Sequence, residues 1–396
     1  MQGPLEGIKV LDLTRVLAGP FSCMLMGDMG AEVVKVERSG RGDDVRDVAP
    51  QVGGESLYFL VMNRNKLGVT INFRHPRGPA LLRDLVRHAD VLVENFRAGT
   101  MDKMGCGYDV LKAINPRLIM VSISGFGQDG PYSNLACYDV IAQAMSGLME
   151  MTGPPDGPPT MAGSFVIDYS TALYAVIGTL AALRAREHTG IGQRVDVALL
   201  DTAVSYLITA IPEYLLLGRK MTRRGNRDRY AAPVNLFRAK DGGWVYLAAG
   251  NDSLFPQLVK VMGQEEVLQD PRFATLDARM AHIEEGEALL AKWVENKTAD
   301  EVVHLVREAG LPCAKVASID EVVANPQIRH RGMIAEIEHP TAGRVPMQGL
   351  NIHFSHTPKQ IRRPPPLLGQ HNEEIYGRWL GLSVKEVAQL KSEGVI

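Results

Sequence analysis

Short apolar runs separated by polar, helix-like stretches recur from the start of the chain. Ile8-Lys9-Val10-Leu11-Asp12-Leu13 predicts a first strand, Ala18-Gly19-Pro20 opens a helix through Met29, and Ala31 to Glu37 predicts a second strand. The polar, glycine-rich stretch from Ser39 to Gly54 predicts a loop. Further strands are expected at Leu67–Phe73, Asp90–Asn95 and Leu118–Ser124, with a helix from Arg77 to Ala89. Strand and helix alternate in the way that builds βαβ units, so the leading fold class is α/β, a doubly wound (Rossmann-like) parallel sheet.

The pattern changes at Met161 to Leu183 (MAGSFVIDYSTALYAVIGTLAAL), which carries no charge between Asp168 and Arg184. A run this rich in Ala, Thr, Ser and Gly predicts a helix buried on most sides, with Asp168 at its entrance. A carboxylate there reads as an N-cap, or as an anion held by the helix dipole for chemistry. Gly153 to Gly163, rich in Gly and Pro, is the loop that delivers the chain to it. Gln193–Ala198 then reads as a strand and the residues through Leu217 as helical. The basic stretch 218–230 (GRKMTRRGNRDRY) reads as a linker into a smaller α+β domain at 231–333, with strands at 234–239 and 244–249 and a helix at 300–309. Residues 334–396 become strand-like, then Pro-rich, and end in a short amphipathic tail.

Composition narrows the function classes. Apolar residues make up 45% and charged residues 22%, as in ordinary globular proteins, and a net charge of -2 gives no electrostatic case for nucleic acid or an anionic membrane. No uninterrupted apolar run of the ~18 residues needed to span a bilayer is visible, because Asp168 breaks the longest. Cys23, Cys106, Cys137 and Cys313 are far apart, without a CxxC or Cys/His cluster, which points to a reduced, cytoplasmic setting and to no metal site. Cys23 and Cys137, flanked by apolar residues, read as small core residues.

Gly125-Phe126-Gly127-Gln128-Asp129-Gly130 matches GxGxxG, but it comes late and Pro131-Tyr132-Ser133 follows in place of a helix start, so it reads as a turn. Arg15, Arg38, Arg41 and Arg46 concentrate around the first two strand ends, where open α/β sheets bind phosphorylated ligands.

Six segments in order resemble the family III CoA-transferases, the CaiB/BaiF group. They are PLEGIKVLDLTRVLAGP with MGDMGAEVVKVER, Asn63-Arg64-Asn65-Lys66, Val93-Glu94-Asn95-Phe96, Tyr138-Asp139-Val140-Ile141-Ala142-Gln143-Ala144, TGIGQRVDVA from Thr189, and Pro366-Leu367-Leu368-Gly369-Gln370-His371. The likeness covers nearly the whole chain. It implies a large domain discontinuous in sequence, formed by 1–217 and 334–396, and an interlocked homodimer.

The resemblance also implies a nucleophile at Asp168, which attacks an acyl-CoA thioester and passes CoA through an aspartyl anhydride and an aspartyl-CoA thioester to an acceptor acid. Coenzyme A enters as a substrate, and no prosthetic group is implied. A carboxylate suits this chemistry because its anhydride and thioester conserve the energy of the original thioester bond, where a Ser ester would lose it. Backbone N–H groups at the start of the Asp168 helix are expected to stabilise the oxyanions. CoA-contacting positions, as in formyl-CoA transferase, fall on Val16, Leu17, Ala18, Arg38, Ile71, Asn72, Arg74, Asn95, Phe96, Arg97, Lys103 and Tyr138. Arg15 and Arg46 are candidates to grip the distal carboxylate of a small dicarboxylate or hydroxy-acid, with succinyl-CoA as donor.

Leu17 stands where formyl-CoA transferase has Gln, Ala136 where it has Lys, and its run of four glycines has no equivalent, which argues against oxalate. The rival within this fold is an α-methylacyl-CoA racemase, which needs paired His and Asp bases; Tyr138 occupies the position of that His. A CoA-binding protein without chemistry is the more distant alternative.

Overall fold

A computed structural model describes residues 3–358 and 360–396. The chain forms two compact units: the first comprises residues 3–148, 162–209 and 326–396, and the second comprises 149–161 and 210–325.

The first unit is built on six parallel strands, β1 (Lys9–Asp12), β2 (Glu32–Arg38), β3 (Lys66–Ile71), β4 (Val91–Glu94), β5 (Ile119–Ser124) and β6 (Arg194–Ala198), in the spatial order β3-β2-β1-β4-β5-β6. Winding outward in both directions from β1 leaves a crevice between the carboxyl ends of β1 and β4. Both faces of the sheet are covered, which is why its strands read as continuous apolar runs. Val10, Val33, Val91, Val93, Ile119 and Val121 enter one core with helices α1 (Ala18–Asp28) and α5 (Val166–Thr189), and Leu11, Val34, Leu92 and Met120 enter the other. That second core is closed by α3 (Gly78–Val86), α7 (Asn372–Leu380) and α8 (Val384–Ser392). Burying one such side chain contributes about 1.5–3 kcal/mol.

Several short helices have no counterpart in the sequence reading, among them Thr100–Lys103 and Tyr108–Ile114. Leu57–Met62 (α2) and Asp139–Ser146 (α4) are too short to display an apolar period. The helical reading of 199–217 breaks after α6 (Leu199–Val204), where Ile208 takes φ +46° and the chain leaves the first unit.

α5 departs most from expectation. One face is buried through Ile167, Thr171, Ala172, Ala175, Thr179 and Ala182, but Leu173, Tyr174, Ile177 and Leu180 are exposed, Ile177 by 60%. It is not buried on most sides. It is also long and apolar enough to cross a membrane by length and composition, contrary to the reading from uninterrupted runs. Its buried face packs along α1, with Phe21 edge-on to Tyr169 at 4.9 Å, and Arg186 near its end pairs with Asp90 at 2.9 Å.

β3 is an edge strand, and the C-terminal segment covers it. His371 Nδ1 accepts the Gly68 N–H (2.9 Å), Asn372 Oδ1 accepts the Thr70 N–H (2.9 Å), and the Tyr376 hydroxyl donates to the Thr70 carbonyl (2.7 Å). A hairpin of β7 (Ile334–His339) and β8 (Gly343–Gln348) packs Val345 and Met347 against Leu60 of α2.

The second unit has a three-stranded antiparallel sheet, 313–315 beside 244–248 beside 234–238, packed on helices that contribute Leu258, Leu290, Trp293, Val302 and Val306. The stretch 218–230, read as a linker, lies inside this unit. Arg223 pairs with Glu150 (2.9 Å) and donates to the Gly157 carbonyl, and Arg227 makes a two-pronged contact with Glu287 (2.8 and 2.6 Å). The unit comprises 149–161 and 210–325, where the sequence suggests a small domain at 231–333.

Asn372→Ala strips the Thr70 N–H and hydroxyl of their partner. A loss of about 1–3 kcal/mol in urea unfolding is expected; no loss would show that the edge is held by other contacts.

Candidate active site

The site is assembled at the carboxyl ends of the strands, and its floor is a set of buried charges. Lys66 reaches Asp12 Oδ2 (2.7 Å), the Pro20 carbonyl (2.8 Å) and Asn63 Oδ1 (2.8 Å). Lys35 reaches Asp43 Oδ2 (2.9 Å) and the Thr14 carbonyl (3.0 Å), and both ion pairs are inaccessible to water. Burial pushes the Asp12 carboxyl up, but Lys66 and Lys35 together outweigh it and hold it below its usual value. Asp43 behaves alike, with Lys35 overcoming its burial.

This floor shapes the first turn after β1. Asp12 Oδ1 accepts the Thr14 N–H (2.9 Å) and Asp43 Oδ1 accepts the Val16 N–H (3.2 Å). From the other side of β1, Asn95 at the end of β4 accepts the Arg15 N–H (2.8 Å) and donates to the Arg15 carbonyl (2.7 Å). Glu94 beneath it accepts the Phe96 N–H (2.8 Å), and burial pushes its carboxyl up to about 7.

Asp168 enters from α5. It is the third helical residue, and Phe165, at the cap position, offers no side-chain bond. The cap comes from elsewhere: Asp139, 1% exposed at the start of α4, accepts the N–H groups of Ile167 (2.7 Å) and Asp168 (3.0 Å) on one oxygen. Its other oxygen accepts from Gln143 Nε2 (2.5 Å), and Gln143 Oε1 holds the Ala162 N–H (3.0 Å). Asp168 is therefore not the cap. The Val166 N–H goes to the Ser164 carbonyl and the Tyr169 N–H to the Phe165 carbonyl, so the donors at the start of α5 are spent and do not serve as the expected oxyanion hole. Among the described residues, no hydrogen bond reaches the Asp168 carboxylate itself. Burial, and then the negative charge of Asp139, push its carboxyl up to about 7.

Asp168, Arg15, Val16, Leu17, Ala18, Asn95, Phe96, Arg97 and Tyr138 line one cleft of about 210 Å³, together with Ser124, Leu135, Ala136 and Cys137. Cys137 is a wall of this cleft, half-buried, with its thiol pushed up to about 11 by burial and by Asp168. Gly125 belongs to the same wall: a Cβ there would stand 2.1 Å from that of Cys137. The rest of the GxGxxG stretch is a turn tied to β6, with the Gln128 N–H on Asp196 (2.9 Å) and the Gly127 N–H on Ser124 Oγ (3.0 Å).

Arg38 lies in a second, mainly apolar cleft of about 210 Å³ with Phe73, Thr100 and Met104, and Arg15 and Phe96 are common to both clefts. Asp44 bridges Arg15 (3.0 Å) and Arg38 (2.5 Å) at that border. Ile71 is fully buried in β3, and the Asn72 side chain is engaged with the Gly394 carbonyl (2.9 Å) and the Arg74 N–H (3.1 Å). Arg74 and Lys103 are exposed and line neither cleft. Arg46 is also outside them: its guanidinium makes two 2.7 Å bonds to Glu37, donates to the Pro366 carbonyl (2.9 Å) and stacks on Phe59 at 3.6 Å.

The family model described as CoA-transferase family III matches residues 5–372. The chain belongs to CoA-transferase family III. It is 40% identical to the succinyl-CoA–D-citramalate CoA-transferase of Chloroflexus aurantiacus, over 99% of this chain and 98% of that one. It is 38% identical to the human succinyl-CoA:glutarate CoA-transferase, over 99% and 90%. The crystal structure of a CAIB/BAIF family protein from Brucella suis matches with a TM-score of 0.84 and 38% identity, over 96% of this chain and all of the other.

This CoA-transferase thus carries two neighbouring carboxylates in opposite settings. Sequence reading singled out Asp168 and passed over the roles of Asp139 and Gln143, although both lie in the Tyr138–Ala144 segment. Only their contact with a helix 28 residues further along the chain reveals them.

A raised folded-state value makes Asp168 a pH-dependent liability. The unfolded carboxyl titrates near ~3.9, so the folded protein holds the extra proton between there and about 7 and loses stability as pH rises through that window. Asp168→Asn is expected to resist urea better than the native protein at pH 8, with the gap closing towards pH 4. An unchanging gap would contradict the shift.

Proposed function

We propose that this CoA-transferase moves CoA from succinyl-CoA to a small dicarboxylic or hydroxy-acid, with Asp168 as the covalent nucleophile. The observation that carries the reading is the unbonded Asp168 carboxylate in a cleft that shares Arg15 and Phe96 with a second, mainly apolar cleft holding Arg38. Two clefts with residues in common suit an extended ligand with an acyl thioester at one end and a nucleotide at the other. The relatives named for succinyl-CoA with D-citramalate, glutarate and L-malate support the donor and the acceptor class.

The Asp168 carboxylate adds to the thioester carbonyl and expels CoA thiolate, leaving a mixed anhydride. The thiolate attacks the aspartyl carbonyl and releases succinate, leaving the aspartyl-CoA thioester. The acceptor carboxylate then displaces the thiolate, and the thiolate returns to the acceptor's carbonyl, freeing Asp168. A hydrogen-bonded carboxylate would be a poorer nucleophile, and Asp139 absorbs the helix donors that would otherwise quench Asp168. Arg15 is the remaining candidate for the acceptor's distal carboxylate. Removal and return of an α-proton, the racemase chemistry, needs two bases, and among the described residues no histidine lines the cleft.

Incubation with succinyl-CoA and a panel of acids should yield the CoA esters of dicarboxylates or hydroxy-acids, and a +CoA or +acyl mass on Asp168. Asp168→Ala should lose more than roughly 10⁴-fold in kcat; near-native turnover would refute the covalent route. Because only the carboxylate reacts, kcat/KM should fall below about pH 7, and Asp139→Asn, which removes the neighbouring charge, should move that limb to lower pH.

We also propose that the protein is a homodimer, interlocked as the family resemblance implies. The exposed apolar side chains of α5, with Ile141 and Met145 of α4 and Val204, Tyr206 and Ile208 at and beyond α6, supply a face that a monomer would leave wet. Light scattering should give twice the 43.3 kDa chain mass and about the single-chain mass for Ile177→Asp. A native monomer would overturn the proposal.

A further inference from the structure

Val16 has φ +69°, a left-handed conformation that a β-branched residue adopts only under constraint. The constraint is visible on both sides. Asn95, beyond β4, grips the Arg15 peptide with two hydrogen bonds, and Asp43, beyond β2, holds the Val16 N–H while Lys35 anchors Asp43. The two clamps reach over β1 from its two neighbouring strands, at the point where the strand order reverses. The Val16 side chain is itself packed on the core that α1 and α5 share. Val16, Leu17 and Ala18 line the same cleft as Asp168, and α1 runs from them along α5.

Glycine would take this φ without cost, yet it would also let the turn visit other conformations. A strained residue held by neighbours on both sides marks a place where geometry matters more than local comfort. We propose that Val16 is a positioning residue for acyl transfer: its clamped left-handed backbone makes the Arg15–Ala18 turn a rigid wall that sets the thioester carbonyl in line with Asp168. The inference rests on Asp168 being the nucleophile.

The test is single-turnover mass spectrometry of the full chain mixed with succinyl-CoA, following the Asp168 adduct, beside KM and thermal melting. Val16→Gly relieves the strain and loosens the wall, so it should melt within about 3 °C of the native protein while adduct formation slows roughly 10–100-fold. Asn95→Ala, which opens the clamp and leaves Val16 untouched, should slow the same step. The double variant should lose less than the sum of the two, since both act through one turn. Adduct formation at the native rate in Val16→Gly, with Asp168 still labelled, would overturn the role of Val16 and leave the nucleophile standing. The same result in Asn95→Ala would do so too. Absence of any Asp168 adduct in the native protein would instead remove the covalent route and this inference with it.

Discussion

Two lysines without water set the terms for the first unit. A buried ammonium is tolerable only with close anionic and carbonyl partners, and losing one partner of such a pair costs about 3–5 kcal/mol. Lys66 therefore fixes Asp12, Asn63 and the start of α1, while Lys35 fixes Asp43 and the end of the Thr14 turn. Glu37 extends the array by accepting the Asp43 N–H (2.9 Å) and pairing with Arg46, whose other bond reaches the Pro366 carbonyl. One electrostatic requirement thereby ties the strand ends, the cleft wall and the C-terminal segment together.

Above that floor, Asp139 and Asp168 divide the properties of a carboxylate between them. Asp139 accepts three hydrogen bonds, from Gln143 and from the N–H groups of Ile167 and Asp168, and so holds the start of α5. Asp168 is denied donors and placed beside Asp139, so its own charge is costly until something else neutralises it. The thiol of Cys137 and the phenols of Tyr58 and Tyr169 are all raised, by burial and by the charge of Asp168, so they stay neutral around it.

The strands were legible because a parallel sheet covered on both faces leaves runs such as VLVE and IMVSIS that little else produces. The position of Asp168 was also legible, as the one charge in a long apolar stretch. Its cap was not, because Asp139 meets α5 only through the tertiary fold. The exposed stripe of α5 was misread for a related reason: composition reports that a face is apolar and says nothing of whether anything covers it. The arginines show the limit most clearly. Arg15 and Arg46 look equivalent in sequence, but Glu37 and Phe59 draw Arg46 into the interior while Arg15 turns to the cleft.

The cover of β3 has a consequence for the order in which the molecule can be made. The edge of the first unit's sheet is closed by Asn65 on the Arg363 carbonyl and by His371, Asn372 and Tyr376, residues translated some three hundred positions after the strand they protect. Between those events the ribosome must deliver all of 210–325, a unit with its own core that can mature first. For that interval a nascent chain carries a parallel sheet with an open flank, the kind of surface that invites pairing with another chain. That flank closes only once residues 363–376 have left the ribosome.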